Sequence, residues 1–161
     1  MIQFFTMGGT IDKIYFDRKD VYEVGESSLD TILKEAHVTI PYACESVSQK
    51  DSLDLTDEDR LLLFERITTS QCRSIIVTHG TDTMVRTARM LKNIPDKVIV
   101  LTGSMEPARF RSSDAVFNIG FAVAAVQSLP PGVYIAMNGR IFDPNKTRKN
   151  VARNRFEDTG S

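Results

Sequence analysis

Several features that would point to particular partners are missing from this sequence of 161 residues. Twenty lysines and arginines stand against 21 aspartates and glutamates, and the net charge of −1 provides no field that attracts nucleic acid or an anionic membrane. The only cysteines, Cys44 and Cys72, have neither the number nor the spacing of a disulfide framework or a zinc site. We therefore expect reduced thiols, no bound metal and a small-molecule partner.

Long apolar runs are missing as well. Nothing approaches the 18 or more apolar residues of a membrane span. The first residues, "MIQFFTMGGT", lack a basic segment, and their apolar run is far shorter than the hydrophobic region of a signal peptide. The sequence also has no internal repeat and no low-complexity linker. These absences favour one globular domain in the cytoplasm, without membrane contact.

Short apolar runs alternate with segments of helical periodicity. The runs are rich in Val and Ile and mostly continuous, as in strands covered on both faces. They are Ile2 to Phe5, Val38 to Tyr42, Ser74 to Val77, Lys97 to Leu101 and Val133 to Met137. The predicted helices are Ser28 to Ala36, Thr56 to Ser70, Asp82 to Asn93 and Ser113 to Ser128. This order predicts a doubly wound α/β fold, with a mostly parallel, flavodoxin-like sheet and helices on both faces.

Four segments carry further expectations. Residues 11–27 form a long polar stretch with two tyrosines, which favours a lid loop, and residues 138–161 show no regular pattern. Thr56, with Asp59 three positions later, is close to a capping box. Apolar residues nearly surround the helix predicted from Ser113 to Ser128, so we expect this helix to pack centrally or against a second subunit in a homo-oligomer.

Polar residues and glycines follow the predicted strands, where ligands bind in such sheets. They are Met7-Gly8-Gly9-Thr10, Thr78 to Asp82, Thr102-Gly103-Ser104-Met105 and Asn138-Gly139. Any one of these turns is equally typical of ordinary caps and tight turns. None has the spacing, lysine and hydroxyl of a phosphate-binding loop, which argues against a nucleotide ligand.

The combination of these turns is more specific than any of them alone. "F-x-x-GGTID" begins at Phe5, "HGTDTM" at His79 and "TGSM-x-P" at Thr102. Together these motifs resemble the bacterial-type L-asparaginase family, and the similarity covers almost the whole chain as the N-terminal domain of that family. The resemblance implies hydrolysis of the side-chain amide of L-asparagine to L-aspartate and ammonia, without metal or cofactor.

The resemblance assigns the nucleophile to Thr10 of "GGTID". A threonine hydroxyl is a poor nucleophile near neutral pH and needs a hydrogen-bonding neighbour. In the family a tyrosine on the lid makes this contact, and "Y-x-V-G" places Tyr22 at that position, with Tyr15 as the alternative.

A second catalytic group matches Thr81 and Asp82, completed in the family by a lysine after the last strand. Alignment of "YIAMNGRIFDPNKTRKN" without gaps from the strand gives Lys149, with Lys146 close enough to be confused with it. The basic residues of this tail could also be no more than a solvated surface.

The substrate-binding residues implied by the resemblance are Ser52, Gly9, Gly80, Asp82 and Ser104. Ser52 matches the family's serine for the substrate carboxylate, although Ser48-Gln49 competes by reproducing its Ser-Gln dipeptide. With Ser52, an apolar Leu53 stands where the family has glutamine, and this substitution predicts weak binding. His79 is expected to be structural rather than a general base.

Length is the largest departure from the family, whose familiar members have a second domain that supplies an acidic group. We expect residues 1–161 to be a natural single-domain form, in which Glu23, Glu26 or a neighbouring subunit replaces that acid.

The alternatives to an asparaginase are a glutaminase or broader ω-amidase, and a catalytically weak amino-acid-binding module. One methylene changes selectivity by only about 1–3 kcal/mol, and no motif encodes it.

Overall fold

The computed structural model describes residues 1–160 and confirms the predicted α/β class. Its main sheet has six strands: β1 (Ile2–Gly8), β4 (Tyr42–Lys50), β5 (Ser74–Thr78), β6 (Val98–Thr102), β7 (Gly132–Met137) and β8 (Arg140–Phe142). They are arranged in the order β4-β1-β5-β6-β7-β8, parallel except for β8. The first five strands in this order follow the flavodoxin-like sequence 2-1-3-4-5.

Each central strand contributes to two cores because successive side chains point to opposite faces. Phe5, Ile75 and Val77 pack on one face, against α2 (Asp57–Thr69) and α3 (Met84–Leu91). Phe4 and Ile76 pack on the other, against α1 (Leu29–Glu35) and α4 (Ala115–Ser128). Helices therefore cover both faces, and the continuous apolar runs follow from this double burial.

The predicted helices are all present, with ends shifted by a few residues. The capping box of α2 is confirmed, because the Thr56 side chain accepts from the Asp59 backbone and the Asp59 carboxylate accepts from the Thr56 backbone. Helix α4 packs on the sheet through residues such as Ile119 and Ala122, and it exposes Val116 and Phe117. Among residues 1–160, no helix has the length and apolar character needed to cross a membrane.

The predicted strand from Val38 to Tyr42 is wrong. His37 adopts a left-handed backbone conformation, and the Val38 N–H donates to the Leu33 carbonyl, so this segment ends α1. The strand begins instead at Tyr42 and runs to Lys50 at the edge of the sheet. Edge position leaves most of its side chains only partly buried, and for this reason the sequence lacks a continuous apolar run there.

The two regions without a sequence pattern form small hairpins. Residues 11–27, predicted to be a loop, contain the antiparallel strands β2 (Lys13–Phe16) and β3 (Val21–Val24). The tail contains β8, a 3-10 turn at Pro144–Lys146, and the antiparallel pair β9 (Thr147–Asn150) and β10 (Arg155–Asp158). Both hairpins lie outside the main sheet, and both carry predicted site residues.

Candidate active site

The two threonine motifs follow neighbouring strands where the chain reverses its direction of winding. Strand β1 pairs with β4 on one side and β5 on the other, so a crevice opens between the carboxyl ends of β1 and β5. Thr10 follows β1 and begins a 3-10 turn (Thr10–Asp12), while Thr81 follows β5 and lies before α3. The sheet topology thus brings both threonines to one crevice.

Close packing of glycine backbones joins the two motifs. A Cβ atom added to Gly9 would lie 2.4 Å from the Gly80 Cα, and Gly9 has a φ of 94°. A Cβ added to Gly80 would lie 2.6 Å from the Ser52 Cβ. Since real side chains cannot approach so closely, both positions require glycine. Gly9, Gly80 and Ser52 therefore pack tightly against one another next to the two threonines.

Lys149 contacts both predicted members of its group. Its Nζ donates to Thr81 Oγ1 at 2.7 Å and to Asp82 Oδ1 at 2.6 Å. The lysine side chain is 11% exposed, and the Asp82 side chain is 37% exposed. Lys146 lies exposed on the preceding 3-10 turn. The structure thus brings Lys149, rather than Lys146, to Thr81 and Asp82.

The hairpin that carries Lys149 is anchored to α3 and the core. Arg89 of α3 donates from Nε to the Pro144 carbonyl at 2.8 Å and from Nη2 to the Thr147 carbonyl at 3.3 Å. Lys149 pairs across the hairpin with Phe156, whose buried ring packs against Phe142. Arg89 was not predicted from the sequence, because nothing in α3 distinguishes it from an ordinary surface arginine.

Tyr22 lies beside Thr10, and Tyr15 points elsewhere. Tyr22 and Thr10 line a cleft of about 260 Å³ together with Lys13, Pro107 and Phe110. The Tyr22 and Phe110 rings meet edge to face with centroids 6.0 Å apart. The Tyr15 hydroxyl donates instead to Asp20 at the hairpin tip. No hydrogen bond joins Tyr22 and Thr10 in the described part of the chain, although both face the same cleft.

Ser52, rather than Ser48, packs against the glycine that precedes Thr81. It is buried beside Gly80, and its carbonyl accepts a hydrogen bond from Thr83 Oγ1 at 2.8 Å. Ser48 lies within β4, where its buried hydroxyl has no hydrogen-bond partner among residues 1–160. Leu53, which replaces the expected glutamine, is 72% exposed.

Three further candidates, Ser104, Glu23 and Glu26, make no hydrogen bond to Thr10 or Thr81 among residues 1–160. The buried Ser104 hydroxyl donates to the Glu106 carbonyl, which shapes the loop after β6. Glu23 accepts from Lys19 at 2.8 Å on the hairpin, and Glu26 lines a separate cleft with Arg109. Lys13, which was not predicted from the sequence, pairs with Asp51 at 2.7 Å and so connects the hairpin to the segment that carries Ser52.

His79 is fully buried and makes two hydrogen bonds within the fold. Its Nδ1 lies 2.7 Å from the Gly80 carbonyl and its Nε2 lies 2.8 Å from Thr87 Oγ1. Burial lowers its pKa to about 4, against the hydrogen bond to Gly80, which favours the charged form. A neutral, enclosed imidazole agrees with the predicted structural role.

Residues 1–157 match the family model described as asparaginase, N-terminal. The chain belongs to the asparaginase family. The "probable L-asparaginase periplasmic" of Haemophilus influenzae is 33% identical over 139 residues, or 80% of this chain and 40% of that protein. The glutaminase-asparaginase of Acinetobacter glutaminasificans is 34% identical over 114 residues, or 68% and 33% of the two chains.

The similarity extends to a protein named for another reaction and to solved asparaginase structures. One component of the glutamyl-tRNA(Gln) amidotransferase of Aeropyrum pernix is 34% identical over 153 residues, or 84% of this chain and 34% of that protein. The thermostable L-asparaginase of Thermococcus kodakarensis superposes with a TM-score of 0.83 at 26% identity, over 98% of this chain and 50% of that one. This asparaginase-family chain spans half or less of the length of these relatives.

Proposed function

We propose that this domain carries the catalytic groups of an amidohydrolase that cleaves the side-chain amide of L-asparagine. Thr10 is the nucleophile, and Thr81, Asp82 and Lys149 form the second catalytic group. The observation that carries the proposal is the pair of hydrogen bonds from Lys149 to Thr81 and Asp82. The contact between Gly9 and Gly80 brings Thr10 to the same crevice. Membership of the asparaginase family supports amide hydrolysis. L-asparagine as the substrate is part of the proposal.

The hydrogen-bond directions suggest how the second group acts. Because Lys149 donates to Thr81 Oγ1, the hydroxyl hydrogen of Thr81 is free to point into the crevice. It can then interact with the amide of a bound substrate, while Asp82 holds Lys149 in place and offers an oxygen to the substrate's α-amino group. A positioned proton donor or acceptor of this kind contributes about 10²–10⁴-fold to the rate.

The reaction proceeds in two halves. Thr10 Oγ1 loses its proton and attacks the amide carbon, the bond from that carbon to nitrogen breaks, and the nitrogen takes up this proton and leaves as ammonia. Tyr22 accepts a hydrogen bond from Thr10 as the hairpin closes over the crevice. Water then attacks the resulting ester, which releases aspartate and returns the hydroxyl proton to Thr10.

Ser52, Gly9, Gly80 and Ser104 shape the binding site in this proposal. The exposed Leu53 removes a polar contact to the substrate head, and weak substrate binding follows from this loss. Glutamine is the second candidate substrate, favoured by the similarity to a protein named glutaminase-asparaginase. A binding module without efficient turnover is the remaining alternative.

Ammonia release from L-asparagine, L-glutamine and D-asparagine tests the proposal directly. Thr10→Ala and Thr81→Ala should each lower asparagine turnover by at least about 10³-fold, because each removes a hydroxyl that acts in the reaction. Thr68→Ala is the matched control, since Thr68 is an exposed threonine of α2 whose hydroxyl donates to the Phe64 carbonyl of the same helix. Calorimetric binding of asparagine without ammonia release would replace the hydrolase with the binding module.

Two further proposals concern the molecule as a whole. We propose a cytoplasmic location, supported by the free thiols of Cys44 and Cys72. We also propose a homo-oligomer, supported by the exposed side chains of Val116 and Phe117 on α4. Light scattering of the purified chain measures the second directly, and a monomer at micromolar concentration would refute it.

A further inference from the structure

Arg60 of α2 is a buried cation that connects to the segments of Gly80-Thr81 and Ser52. Its side chain is 1% exposed, whereas arginine is almost never fully buried without a partner. The nearest carboxylate oxygen, on exposed Asp57, lies 3.7 Å away and is closer to Arg86, at 2.8 Å. Burial lowers the pKa of Arg60, and the neighbouring Arg86 lowers it further. The guanidinium is therefore held mainly by hydrogen bonds rather than by an ion pair.

The donors of Arg60 are distributed over four acceptors. Nη1 donates to the carbonyls of Leu55 at 2.9 Å and Thr56 at 3.2 Å. Nη2 donates to Thr83 Oγ1 at 2.9 Å, and Nε donates to Thr87 Oγ1 at 2.9 Å. A guanidinium has only donors, so both threonine hydroxyls must accept from it and direct their own hydrogens elsewhere.

Each of those two hydroxyls donates to a group beside the crevice. Thr87 donates to His79 Nε2 at 2.8 Å, which leaves the ring hydrogen on Nδ1 for the Gly80 carbonyl. Thr83 donates to the Ser52 carbonyl at 2.8 Å. One side chain thus orients the backbone before Thr81 through the Thr87 branch and the backbone of Ser52 through the Thr83 branch.

We propose that Arg60 is a positioning residue that holds the Gly80-Thr81 and Ser52 segments in register for the amide substrate. The inference rests on the proposed hydrolase function and adds a residue that touches neither substrate nor reacting atoms. The Thr87 branch serves the reacting end, and the Thr83 branch serves the carboxylate end. Displacement of a catalytic segment by about 1 Å costs up to about 10²-fold in rate.

Kinetics of three variants separate the branches. Arg60→Met should lower kcat/KM for asparagine by about 10–100-fold, and Arg60→Lys should recover little because an ammonium cannot reproduce the planar fork. Thr87→Val should act mainly on kcat and Thr83→Val mainly on KM. Arg66→Met is the matched control, since Arg66 is an exposed arginine of the same helix.

A spectroscopic measurement is independent of turnover. The chain has two histidines, so His37→Gln leaves one imidazole signal in the NMR spectrum. In Arg60→Met the cation is gone and Thr87 can accept from Nε2–H, so the pKa of His79 should rise by about one unit. The same shift should be absent in Arg66→Met.

The outcomes distinguish the inference from the function on which it rests. Wild-type protein without amide hydrolysis refutes the proposed function. The His79 titration then still supports or overturns the positioning role of Arg60 through Thr87. A folded Arg60→Met variant with wild-type kcat, KM and His79 titration overturns the inference. If Arg60→Met does not fold, equal effects of Thr87→Val and Thr83→Val on kcat and KM overturn it instead.

Discussion

Asp12, two residues after the proposed nucleophile, is a buried carboxyl group whose ionisation opposes folding. It is 2% exposed, and its Oδ1 accepts a hydrogen bond from the Ser28 backbone at 2.8 Å. Burial raises its pKa to about 6, partly offset by hydrogen bonds from Ser28 and Ser27. This group predicts a pH dependence of stability that one substitution can isolate.

The sign follows from proton binding in the folded and unfolded chains. The pKa rises from 3.8 to about 6 on folding, so the folded chain binds more protons between these values. Stability therefore falls as pH rises through this window. Two pKa units correspond to about 3 kcal/mol, an upper bound on the cost of the ionised group at pH 7.

His79 contributes with the opposite sign. Burial lowers its pKa from 6.5 to about 4, so the unfolded chain binds more protons between these values, and stability rises with pH. The two contributions are similar in size and nearly cancel in the wild-type protein between about pH 4 and 6. Removal of the Asp12 charge should expose the His79 contribution.

Asp12→Asn keeps an oxygen for Ser28 and removes the charge. Its free energy of unfolding should equal the wild-type value near pH 4 and exceed it by up to about 3 kcal/mol at pH 7. Urea unfolding from pH 4 to 7.5 measures the difference, with Asp17→Asn on the exposed part of the hairpin as control. Parallel pH curves for Asp12→Asn and wild type would refute the reasoning.

Three further predictions concern catalysis. Lys149→Met should lower kcat by about 10²–10⁴-fold, whereas Lys146→Met should retain activity, and equal losses would contradict the assignment. Tyr22→Phe keeps the ring contact with Phe110 and should lower kcat by about 10²-fold; a comparable loss in Tyr15→Phe would argue for a general hairpin effect. Leu53→Gln should lower KM for asparagine by about tenfold, because one hydrogen bond to a charged group is restored, and an unchanged KM would exclude that contact.

Much of the fold could be read from the sequence, because buried strands and amphipathic helices leave local patterns. The strands Ser74–Thr78 and Val98–Thr102 contain continuous apolar runs because both faces of each strand are covered. The Thr56 and Asp59 pair at the start of α2 is local in the same way. The "GGTID" and "HGTDTM" motifs were identified by their resemblance to the asparaginase family, and their glycines permit a contact that no larger residue allows.

Elements on the periphery could not be read in this way. Strand Tyr42–Lys50 lies at an edge, and the hairpin β2–β3 is mostly exposed, so neither needs a continuous apolar sequence. The predicted strand at Val38 failed because the apolar run there completes the end of α1. In both cases the arrangement depends on neighbours that are distant in the chain.

The candidate site also contains residues found in local sequence motifs and residues placed by tertiary packing. Its threonines, glycines and Asp82 stand in short motifs that the sequence shows directly, because strand ends and tight turns restrict which residues can occupy them. The family resemblance named Lys149 and Tyr22 with Lys146 and Tyr15 as alternatives, and the tertiary structure places Lys149 at Thr81 and Tyr22 at the Thr10 cleft. The burial of Arg60 was not predicted and is seen only in the tertiary structure. The positions of these side chains depend on packing between remote segments, and such packing leaves no periodic pattern in the sequence.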